Sequence, residues 1–235
     1  SGNNQVQLAG AGNTISLGAG QNFVDAGSGG GSTVTMTGGV SQISIGGAKN
    51  TVTLNGGAHT IIATTTASTF TAKSGTNTIW VQGTTNTVTA GAQDDIIVAL
   101  DGNNILTSGA GTDRIQFAGS ANTVKVGVGA GSTYLYDSGT SNAIAFGAVG
   151  TPTTQVYGAV MTNGDTFDLR AVLAGTNWNK TAADLTRIFS VGVVGTDTIL
   201  TVKPTGIATG AYAAAAFHDT GPFTLASFLA KSVTA

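Results

Sequence analysis

Asn50-Thr51-Val52-Thr53-Leu54-Asn55-Gly56-Gly57-Ala58 and the next nine residues, His59-Thr60-Ile61-Ile62-Ala63-Thr64-Thr65-Thr66-Ala67, are two copies of one unit. Each opens on a small polar residue, carries an apolar residue two places on and a second apolar or small one after that, then turns. Working outward, the first apolar residue recurs at Val6, Ile15, Val24, Val34, Ile43, Val52, Ile61, Phe70, Ile79, Val88, Ile97, Leu106, Ile115, Val124, Tyr134 and Ile144. The step is nine residues almost throughout. The polar position runs Asn4, Asn13, Asn22, Ser32, Ser41, Asn50, His59, Ser68, Asn77, Asn86, Asp95, Asn104, Asp113, Asn122, Ser132 and Asn142.

Alternation of period two followed by a glycine-rich turn is the pattern of a short half-buried strand. A nine-residue unit cannot close a hairpin domain or a helix pair, but stacked units can bury their alternate residues against an opposite wall. The sequence therefore predicts an all-β fold, a parallel β-solenoid (β-roll). Two units make an 18-residue coil, and sixteen units make about eight coils. At a strand spacing of about 4.8 Å the stack is about 40 Å long. Asn and Ser at the polar position stack as ladders that bond turn backbone, and Gly supplies φ > 0 at the turns.

Composition agrees. Charged residues are 9% of the 235, against about 25% in average soluble proteins, and all eleven acidic residues are Asp. Glu and Lys, which favour helices, are absent or few, while Gly, Thr, Ser and Asn fill turns and exposed strands. The net charge of −2 without a basic patch argues against nucleic acid, and no apolar run reaches the ~20 residues of a membrane span. No Cys is present, which excludes disulfides and thiolate metal sites and is compatible with export. The sequence starts in mid-repeat without a signal peptide, so the expectation is a piece of a longer protein with material upstream.

The repeat resembles that of the repeats-in-toxin family, Gly-Gly-x-Gly-x-Asp-x-U-x with U a large apolar residue. Gly109-Ala110-Gly111-Thr112-Asp113-Arg114-Ile115 is the nearest copy, and the resemblance covers about residues 1–150. In that family, Asp from units two apart binds calcium with turn carbonyls. Here the position is Asn, Ser or His in fourteen of sixteen units, and a neutral Asn is a weaker ligand for a hard cation. The dense calcium array that the family implies is thus not expected. Asp95 and Asp113, 18 residues apart, are the exception, so the expected cofactor is none or a single calcium ion held by that pair with carbonyls near Gly91, Gln93, Gly109 and Gly111. The alternative is two solvated turn aspartates.

Residues 151–235 lose the period. Asn163-Gly164-Asp165-Thr166-Phe167-Asp168-Leu169, then Ala182-Ala183-Asp184-Leu185, strands around Ile188–Val191 and Thr198–Val202, and a final apolar Phe223–Leu229 follow in order. This order is similar to the C-terminal target domain of proteins exported by bacterial type I secretion. The resemblance implies a secreted, extracellular bacterial protein whose partner is the type I secretion machinery. Physically, the segment serves as a β-rich cap on the open end of the solenoid, giving two parts, 1–150 and 151–235.

Catalytic residues are not expected. The two His residues, His59 and His218, lie in no nucleophile or zinc motif. Asp94-Asp95 with Asp101 could form an acid–base pair but occupy turn positions. The Gly-rich turns lack a Lys and a following helix, so they are not phosphate loops. An epimerase or lyase built on a solenoid would need acidic and basic residues clustered on one face, and none is apparent.

Two outward stripes remain. Thr14/Ser16, Thr33/Thr35, Thr51/Thr53, Thr69/Thr71 and Thr87/Thr89, then Ile105/Thr107, should form a flat array similar to the Thr-x-Thr faces of ice-binding solenoids. Thr is equally the ordinary uncharged choice for an exposed strand. On the opposite face Ile62, Trp80, Val98 and Leu135 are expected to line an apolar stripe. Packing by the cap or an upstream domain is favoured there over stacking on sugar rings. The expected function is a non-catalytic module of a larger secreted protein, spacer and secretion target, with a carbohydrate-binding module for extracellular polysaccharide as the alternative and an ice-binding face behind both.

Overall fold

A computed structural model describes residues 2–234. The chain winds as a parallel β-solenoid of about nine coils of about 18 residues, with two facing sheets. The first sheet stacks Asn4–Gln7, Gln21–Asp25, Val40–Ala48, Ala58–Thr66, Thr78–Gln82, Ile96–Ala99, Asp113–Phe117, Thr133–Asp137 and Thr154–Tyr157. The second stacks the intervening strands, from Thr14–Leu17 to Thr166–Asp168. The coil count exceeds the expected eight because the strands at 154–157 and 166–168 continue both ladders beyond residue 150.

The interior row of the first sheet is Val6–Val24–Ile43–Ile61–Ile79–Ile97–Ile115, as the repeat predicts. The next member is Leu135 rather than Tyr134. Two extra residues in the turn before this strand lengthen the step from Ile115 to 20, placing Thr133 rather than Ser132 at the polar position. Leu135 is therefore fully buried and leaves the expected outer stripe, while Tyr134 and Tyr136 face outward.

The polar ladders are the second structural element. Along the second sheet, the backbone N–H of each member donates to the side-chain oxygen one coil later: Ser32 to Asn50, Asn50 to Ser68, Ser68 to Asn86, Asn86 to Asn104, Asn104 to Asn122, Asn122 to Asn142 and Asn142 to Asp165, all at 2.7–3.0 Å. The Asn side-chain NH2 turns back to a turn carbonyl, as from Asn50 to Gly46 and from Asn122 to Ala118. Buried backbone donors that no strand can reach are paired this way. The residue before each Asn or Ser member from Asn50 to Asn142 has a positive φ: Lys49, Ala67, Thr85, Asn103, Ala121 and Ser141. On the first sheet the turns crowd instead: Gly75 has φ +86°, and a Cβ there would overlap the Gly57 carbonyl oxygen.

Residues 151–234 close one end. Tyr212–His218 joins the first sheet in parallel beside Thr154–Tyr157, followed antiparallel by Asp197–Val202 and Phe189–Val194; Ser232–Val233 joins the second sheet. Phe146, Phe167, Phe217, Phe223 and Phe228 pack ring against ring where the cap meets the last coils, with Phe167 and Phe228 stacked at 4.8 Å. Aromatic pairs fill a wide end that Val and Ile cannot. Arg187 fastens the cap loops, donating to Asp184, Asn177 and Thr205. Phe223–Leu229 holds a short helix, Leu225–Leu229, whose capping box is made by Thr224 and Ser227.

Candidate functional site

The outer face of the first sheet carries two columns. One runs Ser44–Ile62–Trp80–Val98–Gln116–Tyr136–Tyr157–His218 at ladder spacing. Ile62 and Trp80 are exposed, at 48% and 47%. Val98 departs from expectation: it is outward by alternation yet only 4% exposed, because it lies in the column between Trp80 and Gln116. Among the described residues, 151–234 do not cover Trp80, since they stack on the end of the solenoid rather than along this face.

Further along the column the aromatic rings are occupied by one another. Tyr136 and Tyr157 stack at 4.7 Å, Tyr157 and His218 stack at 4.3 Å, and the Arg114 guanidinium lies 4.4 Å from the Tyr136 centroid. His218 is held between Asp197 (Nδ1 to Oδ1, 3.0 Å) and Gln155 (Nε2 to Oε1, 2.7 Å). With both faces of Tyr136 and Tyr157 taken, this group ties the cap to the solenoid and leaves only ring edges to a ligand. Outside that stack, the large aromatic side chains of the face are Trp80 and, in the neighbouring column, Tyr134 and Phe23, the last 41% exposed. The repeat could not reveal the stack, because it depends on the two-residue insertion and on a cap strand 61 residues away from Tyr157 (His218).

The opposite face carries the expected threonine array. One column is Thr14–Thr33–Thr51–Thr69–Thr87–Ile105–Thr123 and the other Ser16–Thr35–Thr53–Thr71–Thr89–Thr107–Lys125. Thr33, Thr51 and Thr69 are exposed, while Thr35, Thr53, Thr71, Thr87 and Thr89 are partly shielded by their ladder neighbours. Ile105 and Lys125 interrupt the two columns.

Asp95 and Asp113 stack one coil apart, as the spacing requires, but both are buried and engaged with backbone N–H groups. Asp95 Oδ1 accepts from Asn77 N (2.7 Å) and Oδ2 from Gly91 N (2.8 Å); Asp113 Oδ1 accepts from Asp95 N (2.9 Å) and Oδ2 from Gly109 N (2.7 Å). Gly91 and Gly109 thus present N–H groups to these carboxylates. Burial pushes the Asp113 carboxyl up to about 6, partly opposed by the Asp95 and Gly109 N–H donors. Asp94 and Asp101 likewise accept from backbone N–H, of Thr112 and Gly83. His59 is buried in the ladder with Nε2 on the Gly56 carbonyl, and burial lowers its pKa. Asp94, Asp95, Asp101, Asp113 and His59 therefore all bond backbone groups of the coils, whereas His218 bonds side chains.

Comparison of the chain with known protein families, with curated proteins and with solved structures finds no match.

Proposed function

We propose that this chain is a non-catalytic β-solenoid module of a larger secreted bacterial protein, with residues 1–150 acting as a rigid spacer and residues 151–235 as the type I secretion target. The supporting observation is that residues 151–234 fold onto the end of the solenoid, adding strands to both sheets and closing its core with Phe167, Phe217, Phe223 and Phe228 against Phe146. A segment that completes both ladders and closes the core suits a target read before folding and a cap afterwards. The test is export of the chain by a type I apparatus in a heterologous bacterium. Residues 1–235 should reach the medium and residues 1–150 should stay in the cell; equal export of both would refute the assignment.

A second reading, binding of extracellular polysaccharide, is favoured by Trp80 alone. It remains 47% exposed beside exposed Ile62, and water against so large an apolar ring is costly without a contact to replace it. Soluble polysaccharides should then perturb Trp80 fluorescence, and Trp80→Ala should abolish binding with the circular dichroism unchanged. No response to any of a panel of neutral and acidic glycans would remove this reading. Ice binding by the threonine array ranks behind both, because Ile105 and Lys125 break its columns.

A further inference from the structure

The three aromatic rings that the outer face of the first sheet keeps outside the Tyr136–Tyr157–His218 stack recur at one interval. From Phe23 the ladder passes Gln42 and Thr60 to Thr78, whose strand carries Trp80 two residues on. From Trp80 it passes Val98 and Gln116 to Tyr136, whose strand carries Tyr134 two residues back. Phe23, Trp80 and Tyr134 therefore stand on strands three coils apart and three coils apart again. Each step is about 14 Å at a strand spacing of about 4.8 Å. Phe23 and Trp80 are exposed and Tyr134 is half-buried. The nine-residue unit does not require this interval, since the members of the column between Phe23 and Tyr134 are Gln42, Thr60, Thr78, Ile96 and Arg114.

The surface around the rings is concave and carries little charge. A cavity of about 660 Å³ beside Phe23 is lined by Asn3, Gln5, Gln21, Val40 and Gln42, and one of about 310 Å³ beside Tyr134 by Thr76, Asp94, Ile96 and Arg114. The exposed amides present uncharged donors and acceptors together, as a ligand rich in hydroxyl groups requires. The carboxylates nearest the rings are engaged: Asp25 accepts from Gly27 N and Asp94 from Thr112 N. Arg114 is the cation of these columns, and it lies over Tyr136. A highly charged polymer of either sign thus finds no matching row of opposite charges here, whereas flat rings suit the C–H face of a sugar.

An extended β-1,4-linked pyranose chain advances by close to one strand spacing per ring, so a chain lying along the solenoid axis keeps pace with the coils. In a two-fold ribbon one ring face recurs at every second sugar. In a three-fold screw it recurs at every third, which is the interval of Phe23, Trp80 and Tyr134. We propose that this face binds a neutral β-1,4-linked polysaccharide of three-fold screw, the xylan class, with these three rings under its first, fourth and seventh sugars. This rests on the polysaccharide reading above and extends it from one ring to a track.

Calorimetric titration of the full chain with β-1,4-xylo-oligosaccharides of two to eight rings tests the track. Affinity should rise about tenfold from three to four rings and about tenfold again from six to seven, as a second and a third platform are reached. Cello-oligosaccharides and oligogalacturonates of equal length should bind at least about tenfold more weakly. Phe23→Ala and Tyr134→Ala should each erase the step at seven and keep the step at four, while Trp80→Ala should erase the step at four. The length series on the unaltered chain decides the matter even where a variant fails to fold. A smooth rise with length, or tighter binding of the uronate or cello series, would overturn the proposal. Binding lost in Trp80→Ala but untouched in Phe23→Ala and Tyr134→Ala would overturn the track and leave a single platform at Trp80. No binding of any glycan would remove both, and sedimentation showing self-association that Trp80→Ala abolishes would give the face to a second copy instead.

Discussion

Asn104→Ala and Asn104→Asp probe the ladder from two sides. Asn104 is 1% exposed. Its Oδ1 accepts from Asn86 N (2.8 Å), and its Nδ2 donates to Gly83 O (3.1 Å) and Asp101 O (2.8 Å). Alanine removes all three bonds and strands the Asn86 N–H in a dry turn. At about 1 kcal/mol for each of the two bonds lost from Nδ2, plus about 1–3 kcal/mol for the stranded Asn86 donor, the cost is about 3–5 kcal/mol. For a chain of this length that is about 10 °C in melting temperature. Because each coil contacts only its neighbours, the loss should concentrate in the flanking coils and raise amide exchange at Asn86 first. Aspartate keeps the acceptor for Asn86 N but turns an acceptor towards two carbonyl oxygens. Its deficit at neutral pH should therefore match that of alanine and shrink on acidification, as protonation restores a donor; the alanine deficit should not. Thermal unfolding followed by circular dichroism between about pH 4 and 8 reads both. An Asn104→Ala variant within about 1 kcal/mol of the parent, or an Asn104→Asp deficit independent of pH, would refute the ladder energetics.

Three further outcomes follow from particular residues. Thr85 is β-branched at φ +64°, so Thr85→Gly should relieve strain and leave stability unchanged or raised by up to about 1 kcal/mol, measured by chemical denaturation. His59, whose pKa burial lowers, binds fewer protons folded than unfolded, so its contribution is complete above about pH 6.5 and declines as pH falls below that value. His59→Asn should flatten that slope, and an unchanged pH profile would contradict it. Phe228→Ala opens a cavity among Phe167, Phe217 and Phe223, and should cost about 3–5 kcal/mol and free the C-terminal strand to hydrogen exchange before the solenoid.

The solenoid was legible because one apolar residue every nine fixes both strand face and coil length, and Asn or Ser two places earlier marks the turn. The misreading at Tyr134 came from the same signal: its ring imitates the apolar position, and only the neighbouring strand Asp113–Phe117, paired with Thr133–Asp137, settles the register on Leu135. Val98 reads as outward by alternation, yet its burial depends on the size of its ladder neighbours. The cap was harder, since the strand Tyr212–His218 carries four alanines in a row without alternation, and the place of Ala215–His218 beside Thr154–Tyr157 is set by contacts about 60 residues apart. Asp137 and Asp165 each look like an ordinary turn aspartate in sequence; only the fold brings both onto Asn142.

Export of a passenger measures directly whether this module carries a larger upstream protein out of the cell. A reporter that is otherwise retained, joined ahead of Gly2, should appear in the medium in the presence of a type I apparatus when residues 151–235 are intact. It should remain cell-bound when they are deleted or when the apparatus is absent. A reporter retained in every arm, while the chain is folded and stable, would contradict the account.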